Sequence, residues 1–322
     1  MNPAIAVALA LVLDAAVAEL PRRLHPVAWF GSVVARADRE WSRPMLAGVA
    51  VALVLPLLAA GVVALAVGLA ESFRPLAGLL AAGLVLFATT SLRMLVEKAG
   101  EVVAATEADL PTARKRLEWL AGRDADDLAP GQIRSAAVES AAENLADGVV
   151  AALSAFALLA PISLPLGAGA AAWVKAVNTL DSMLGYPDKS HGTASARLDD
   201  IIMWIPARAS AGLVALAAVL VSSGNSLSGR SRSDHSRGSL SAGRRWADAP
   251  PSPNSGWPMA TLAGAIDARL EKPGVYVLNP DAGLPSVETA RSGVRIAGLA
   301  GVLAFLFAGL LVAAVSGVVA WF

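Results

Sequence analysis

From Leu46 to Ala70 the chain carries no charged residue, and from Ile296 to Ala320 it carries none either. Each run meets the ~20 apolar residues that a helix needs to cross a bilayer. In hydrocarbon every backbone amide must find its partner within the segment, so such runs admit helices and rule out irregular chain. Composition agrees. The 322 residues are 56% hydrophobic and 16% charged, which is too apolar for a soluble domain. The expected fold class is all-α: a polytopic helical membrane protein, set in a lipid bilayer as a multi-pass protein of the cell membrane. It should carry a cytoplasmic helical segment and broken or re-entrant helices.

Some functions drop out early. Lys plus Arg equals Asp plus Glu, 26 against 26, so no global field favours nucleic acid, and none is expected as a partner. The chain has no Cys, which removes disulfides, thiolate zinc sites and a Cys nucleophile. Its three His residues lie far apart in sequence and make a His-based metal site a poor reading.

Taken in order, residues 1–92 form N-terminal membrane helices with a basic loop. Residues 3–20 read as a short anchor helix. The competing signal peptide lacks a positive leading region. Arg22, Arg23, Arg36, Arg39 and Arg43 assign 21–45 to the cytoplasm. Residues 46–70 span, with Pro56 inside, and 76–92 return. Residues 93–147 form a cytoplasmic helical segment with helix starts at Asp109 and near Asp127–Gly131, ending in an acidic motif. Residues 148–223 form a membrane-embedded core. There Pro161-Ile-Ser-Leu-Pro165 breaks the apolar sequence, and two readings stay open. A re-entrant hairpin keeps the flanking polar motifs on one side, and a broken span separates them. Residues 224–251, rich in Ser, Gly, Arg and Pro, read as a mobile linker. Residues 252–295 hold Ser-Pro-Asn-Ser-Gly-Trp-Pro, and 296–322 form the last membrane helix.

The chemistry concentrates between residues 138 and 208. Glu139, Glu143 and Asp147 recur every four residues, so one helix would gather them within an arc of about 80°. Like charges so spaced repel by ~0.2–0.5 kcal/mol per pair. A divalent cation relieves that, and Mg²⁺ suits a site shared with phosphates. The alternative is a solvated acidic face. Glu143, Asp147, Asp199 and Asp200 are the candidate metal ligands, and Glu139, Glu143 and Asn144 are candidate catalytic groups. Lys175, Asn178 and Ser182 share a helix face with Asp181 at its edge. Lys175, Asn178 and Asp181 complete the catalytic candidates, since Lys is a point charge suited to phosphate and Asn orients carboxylates. Against this stands a snorkelling Lys with polar capping. Arg197 and Arg208 are candidate phosphate-binding groups, with Asn254 and Trp257. Arg208 follows Pro206 inside an apolar run and needs a partner. The alternative for Arg197, Asp199 and Asp200 is a local ion pair and helix cap. Gly167–Ala172 spells a dinucleotide fingerprint but has no strand before it, so that reading fails.

These blocks carry a resemblance. V-E-S-A-A-E-N-L-A-D-G-V, K-A-V-N-T-L-D-S-M-L-G-Y, A-S-A-R-L-D-D, P-A-R and S-P-N-S-G-W-P resemble, in order, the CobD/CbiB family of cobalamin biosynthesis. Asp14, His25-Pro26-Val27, Ser91-Leu92-Arg93 and Gly122-Arg123-Asp124 support it. The resemblance implies adenosylcobinamide-phosphate synthase activity. In that reaction adenosylcobyric acid is joined in amide linkage to (R)-1-amino-2-propanol or its O-phosphate, with ATP as cosubstrate and Mg²⁺. It implies a corrinoid and an aminopropanol (phosphate) as substrates, and it admits other late cobalamin-pathway membrane enzymes as partners. The chain departs from the family pattern at Lys189–Gly192 and at Met259. Two other classes remain as alternatives. A Mg²⁺-dependent prenyl or CDP-alcohol transferase would need Asp pairs at wider spacing than Asp199-Asp200. A transporter would use the broken helices near Pro161 and Pro165 and move solute without ATP turnover.

Overall fold

The computed structural model describes residues 2–224 and 232–319. The described chain is helical. Its helices are α1 (Ala4–Val17), α2 (Pro26–Ala37), α3 (Pro44–Phe73), α4 (Pro75–Thr89), α5 (Leu92–Ala108), α6 (Leu110–Ala121) and α7 (Pro130–Leu145). They continue as α8 (Ala151–Leu159), α9 (Leu164–Leu184), α10 (Thr193–Ile202), α11 (Trp204–Gly224), α12 (Arg232–Trp246), α13 (Gly256–Ala265) and α14 (Val287–Val319). Among the described residues five helical stretches are long and apolar enough to cross a membrane: Pro44–Phe73, Pro75–Ala108, Pro130–Leu159, Trp204–Ser222 and Val287–Val318. The protein is an all-α polytopic membrane protein, as its charge-free runs require.

One addition breaks the all-helical pattern. Leu270–Lys272 (β1) and Tyr276–Leu278 (β2) pair antiparallel, with Leu270 opposite Leu278. Pro273-Gly274 turns the chain between them, and Gly274 takes φ +73°, which glycine adopts at no steric cost.

The chain passes repeatedly between two compact units instead of running through successive segments. The first gathers Met1–Ser91, Asp147–Met203 and Ala304–Phe322, and the second gathers Leu92–Ala146 and Trp204–Leu303. In the first, α9 packs on α3, α4 and α8, and α1 packs on α4. Gly169 allows the α9–α3 approach, since a Cβ there would lie 3.1 Å from the Ala60 carbonyl oxygen. In the second, α5 packs on α6 and α7, and α11, α12 and α13 pack together.

Two expectations change. The helix that carries the acidic motif does not end at residue 147, because α7 runs through a π-turn at Ala146–Val150 into α8 as one helix, Pro130–Leu159. Pro161 and Pro165 then bracket a tight turn, and α8 and α9 pack as a helical hairpin. Its two arms, from Asp147 to Leu159 and from Leu164 to Lys175, are each roughly 17–18 Å long at 1.5 Å per residue. Of the two open topologies, this is the one that keeps both polar motifs at one end. The mobile linker is the second correction. Residues 225–231 lie outside the described residues, but 232–246 form α12, packed closely on α13. Small residues explain it: a Cβ on Gly243 would strike Thr261, and one on Gly264 would strike the Ala242 methyl. The low-complexity composition that reads as a linker is here a close-packing face.

Candidate functional site

At the open end of the α8–α9 hairpin, polar groups converge within the first unit. Asp147 lies within electrostatic reach of Asn178, Lys175, Asp199 and Asp181. Lys175 in turn feels Asp147 and Glu19. Asp181 feels Asp200. The π-turn at Ala146–Val150 puts Asp147 where the helix widens, and such turns recur at functional positions. Asn178 and Asp181 follow Lys175 by three and six residues on α9, and α10 brings Asp199 and Asp200 after Gly192. That glycine is required by contact, since a Cβ on it would collide with the Leu184 carbonyl.

A cavity of about 100 Å³ opens beside Lys175. Phe30, Ala59, Val63, Ala172 and Ala176 help to wall it. Its two lining hydroxyls are already spent on helix carbonyls: Thr179 donates to Lys175 O at 2.7 Å and Thr89 to Val85 O at 2.9 Å. Among the described residues, Lys175 is the one charged residue that lines this apolar cavity.

Arg197 does not join this cluster as a buried clamp. Its side chain is 79% exposed and its Nη1 lies 3.5 Å from Asp200 Oδ2, three residues on. That is the local ion pair set against the phosphate reading. Burial pushes the Asp200 carboxyl above its ordinary value, with Arg197 opposing. Asp199 and Asp200 thus divide their electrostatic neighbours, Asp199 acting on Asp147 and Asp200 on Asp181, while Asp200 also pairs with Arg197.

The acidic stripe is divided as well. Glu139 and Glu143 belong to the second unit and Asp147 to the first, and the π-turn breaks the regular ~100° step on which the stripe depends. Glu139 is 3% exposed and bound on both oxygens. Ser135 Oγ donates at 2.8 Å, Tyr276 Oη at 2.9 Å and Arg123 Nη2 at 3.4 Å. Ser135 Oγ also accepts from the Glu271 amide at 2.7 Å, which pins β1 to α7. A carboxylate so fully engaged organises its neighbours and is not a free ligand for metal. Burial first, and Glu139 next, hold the Tyr276 hydroxyl well above its usual range, so it stays a donor. Glu143, one turn on, is half-buried and within electrostatic range of Tyr276. Asn144 turns back on its own helix, with Nδ2 donating to Ser140 O at 3.0 Å.

Arg208, Asn254 and Trp257 do meet, within the second unit. The guanidinium lies 4.1 Å from the Trp204 ring centre and 4.8 Å from that of Trp257. Its Nη1 donates to Trp204 O at 2.8 Å and to Asn254 Oδ1 at 3.4 Å. The partner that the sequence demanded for Arg208 is thus a pair of π faces and an amide. Ser252 Oγ accepts from Asn254 N and Ser255 N at 3.3 and 3.4 Å, and Gly256 sits where a Cβ would strike the Ala247 carbonyl. These contacts account for the residue types in Ser-Pro-Asn-Ser-Gly-Trp. Trp257 Nε1 is buried with no acceptor among the described residues.

Sequence reasoning missed Tyr276, Ser135 and Trp204 as site-forming residues, along with Glu19. The Lys-Pro-Gly-Val-Tyr-Val string was the available signal, because a Pro-Gly turn beside β-branched and aromatic residues marks a hairpin. Of the partners of Glu139, Tyr276 lies 137 residues away, so no local pattern reports it.

A helical bundle that holds one ammonium among several carboxylates at the end of a buried hairpin defines a polytopic membrane protein with an interior polar site. Comparison with known proteins narrows the class. The family model described as CobD/Cbib protein matches residues 7–306. The chain is 39% identical over 274 residues to a probable cobalamin biosynthesis protein CobD of Methanothermobacter thermautotrophicus, covering 84% of each chain. It is 36% identical over 316 residues to one of Methanothrix thermoacetophila, covering 94% of this chain and 95% of the other. It is 38% identical over 278 residues to a cobalamin biosynthesis protein CobD of Klebsiella pneumoniae, covering 83% and 82%. No solved structure matches. The chain belongs to the CobD/CbiB family.

Proposed function

We propose that this protein is an adenosylcobinamide-phosphate synthase of the cell membrane. It would join adenosylcobyric acid to (R)-1-amino-2-propanol or its O-phosphate, at the expense of ATP. The family and the printed names of its relatives support a role in cobalamin biosynthesis. The observation that carries the finer reading is the convergence of Asp147, Lys175, Asn178, Asp181 and Asp199 at one end of the hairpin.

A free carboxylate is a poor acyl donor. In this reading its oxygen attacks the γ-phosphorus of ATP, the bond to ADP breaks, and an acyl phosphate forms. The amine nitrogen then attacks the acyl carbon, phosphate leaves, and the nitrogen loses its proton. The water equivalent removed in forming the amide appears in ADP and phosphate. Asp147 and Asp199, with the Asn178 amide oxygen, are hard oxygen donors that fit Mg²⁺. When bound there, Mg²⁺ supplies positive charge for the phosphates of ATP. Lys175 balances the charge of the transferred phosphoryl group. Asn178 orients Asp147 through its amide. Asp181, partly exposed at the edge of the cluster, accepts the proton from the amine. The apolar cavity beside Lys175 receives the methyl-bearing carbon of the amine. Arg208, held between two indoles, offers its remaining N–H groups to an anionic substituent of the substrate.

The test supplies detergent-purified protein with adenosylcobyric acid, ATP, Mg²⁺ and aminopropanol phosphate, with mass spectrometry to detect the amide. Product is expected from wild type. It should be lost with EDTA and fall about 10²–10³-fold in Lys175→Met and Asp147→Asn, the scale of removing one preorganised electrostatic group. Absence of product across lipids and divalent metals sinks the proposal. Solute flux in sealed vesicles without ATP turnover would replace it with transport.

A further inference from the structure

A second cleft, of about 450 Å³, lies within the second unit between α12, α13 and the residues that follow β2. That volume is within the roughly 300–1,000 Å³ of small-molecule sites. Gly238, Ser241, Ala242 and Arg245 fall on one face of α12, and Gly264 and Ala265 face them from α13. Small residues thus make up much of the lining between the two helices. Around it stand an indole, a guanidinium, a carboxylate and a carboxamide: Trp246, Arg245, Asp267 and Asn279.

The carboxamide is the telling group. Asn279 is 9% exposed and takes φ +51° directly before Pro280. Residues before proline avoid helical backbone, and Asn is among the few side chains that tolerate the left-handed region. Its Nδ2 donates to Ala268 O at 3.3 Å. No donor to its Oδ1 is found among the described residues, so an acceptor and a second N–H remain for a ligand. An amide acceptor and donor side by side is what reads the N6/N7 edge of adenine. An indole stacks on a base. A carboxylate suits ribose hydroxyls. A guanidinium suits phosphate.

We infer that this cleft binds a purine nucleotide, with the base against Trp246 and on the Asn279 carboxamide, the ribose at Asp267 and the phosphates at Arg245. The ligand chemistry comes from the cleft alone, and the site is separate from the one to which the proposed function assigns the phosphates of the ATP consumed in ligation.

Photolabelling of the detergent-purified full chain with 8-azido-ATP tests it, followed by peptide mapping and by direct titration with TNP-ATP. The label is expected on peptides that contain Trp246 or Asn279, and excess ATP should compete it away. Asn279→Gly keeps a residue that accepts φ +51° and removes the carboxamide, so affinity should fall about tenfold with the fold intact. Arg245→Glu, on the exposed rim, should weaken binding at least as much. Labelling confined to other peptides, or wild-type affinity in both variants, overturns the inference. Nucleotide bound here without amide formation removes the ligation and leaves the cleft.

Discussion

Glu139 is the residue on which sequence and structure part, and its substitution separates a structural role from a catalytic one. Its carboxylate is 3% exposed and accepts from Ser135, Tyr276 and Arg123. Glu139→Ala leaves a guanidinium and a phenol without their acceptor. Breaking a buried ion pair by removing one partner costs about 3–5 kcal/mol. A large domain loses roughly 2–4 °C of Tm per kcal/mol, so the drop should be on the order of 10 °C. Glu139→Gln keeps one acceptor oxygen but loses the charge, and should fall between. Tyr276→Phe removes one donor, and the Glu139→Gln/Tyr276→Phe pair should show a coupling of roughly 0.5–3 kcal/mol. Intrinsic tryptophan fluorescence during thermal unfolding in detergent reads all of these. Ligation measured on the folded fraction of Glu139→Gln should stay within about threefold of wild type. A variant with wild-type Tm and no activity would refute the reasoning and restore Glu139 to the chemistry.

Three further outcomes follow from the same geometry. Ala176→Leu fills the cavity beside Lys175, so the KM for the amine should rise about tenfold with kcat little changed; an unchanged KM would mean that the amine sits elsewhere. Lys189 Nζ lies 2.7 Å and His191 Nε2 3.2 Å from the Asp38 carboxylate, which ties the α9–α10 loop to the end of α2. The bond to Lys189 leads in holding the Asp38 pKa below its usual value, so its contribution is present above about pH 4 and is lost as pH falls through the folded pKa. Asp38→Asn should therefore flatten the acid limb of Tm against pH below about 4, and an acid limb identical to wild type would count against the tie. Arg208→Lys keeps the charge but loses the flat stack on two indoles, and ligation should fall at least tenfold, since Lys cannot replace a stacked guanidinium; full activity would show that charge alone suffices.

The spans were legible because a charge-free run allows one structure in lipid. The hairpin at Pro161–Pro165 was legible as a break, but not as a choice of topology, since nothing local says whether a helix continues upstream of residue 148. The run through the π-turn decides that, and a π-turn leaves no clear mark in composition. The pairing of Asp147 with Asn178 was half legible: each residue stood out beside apolar sequence, yet their meeting depends on the two hairpin arms having matched lengths. Arg208 with Asn254 and Trp257 was legible as three demands for partners. The surroundings of Glu139 were not legible, because an E-x-x-x-E pattern looks the same whether its carboxylates face a ligand or a tyrosine from a distant β-hairpin. The stretch at 232–246 misled because Gly and Ser serve a linker and a tight helix crossing equally well.

The charge balance around the hairpin supports the functional role proposed for these residues over a purely stabilising one. Asp147 lies within electrostatic reach of one ammonium, Lys175, and of two further carboxylates, Asp181 and Asp199. A bundle selected for stability alone would do better with apolar side chains there, because buried ion pairs are often no better than hydrophobic replacements of the same volume. An excess of carboxylates over cations is costlier still, as the carboxylates repel one another in a poorly solvated setting. Such a set is compensated when positive charge arrives from outside, and oxygen donors of this kind are matched to a hard divalent ion carrying phosphate. Beside them the apolar cavity is lined by one charged residue, Lys175, which also feels Asp147. The hairpin thus sets an apolar seat beside a charged one, which is the arrangement that the proposed ligation of a small amine to a phosphorylated acid calls for.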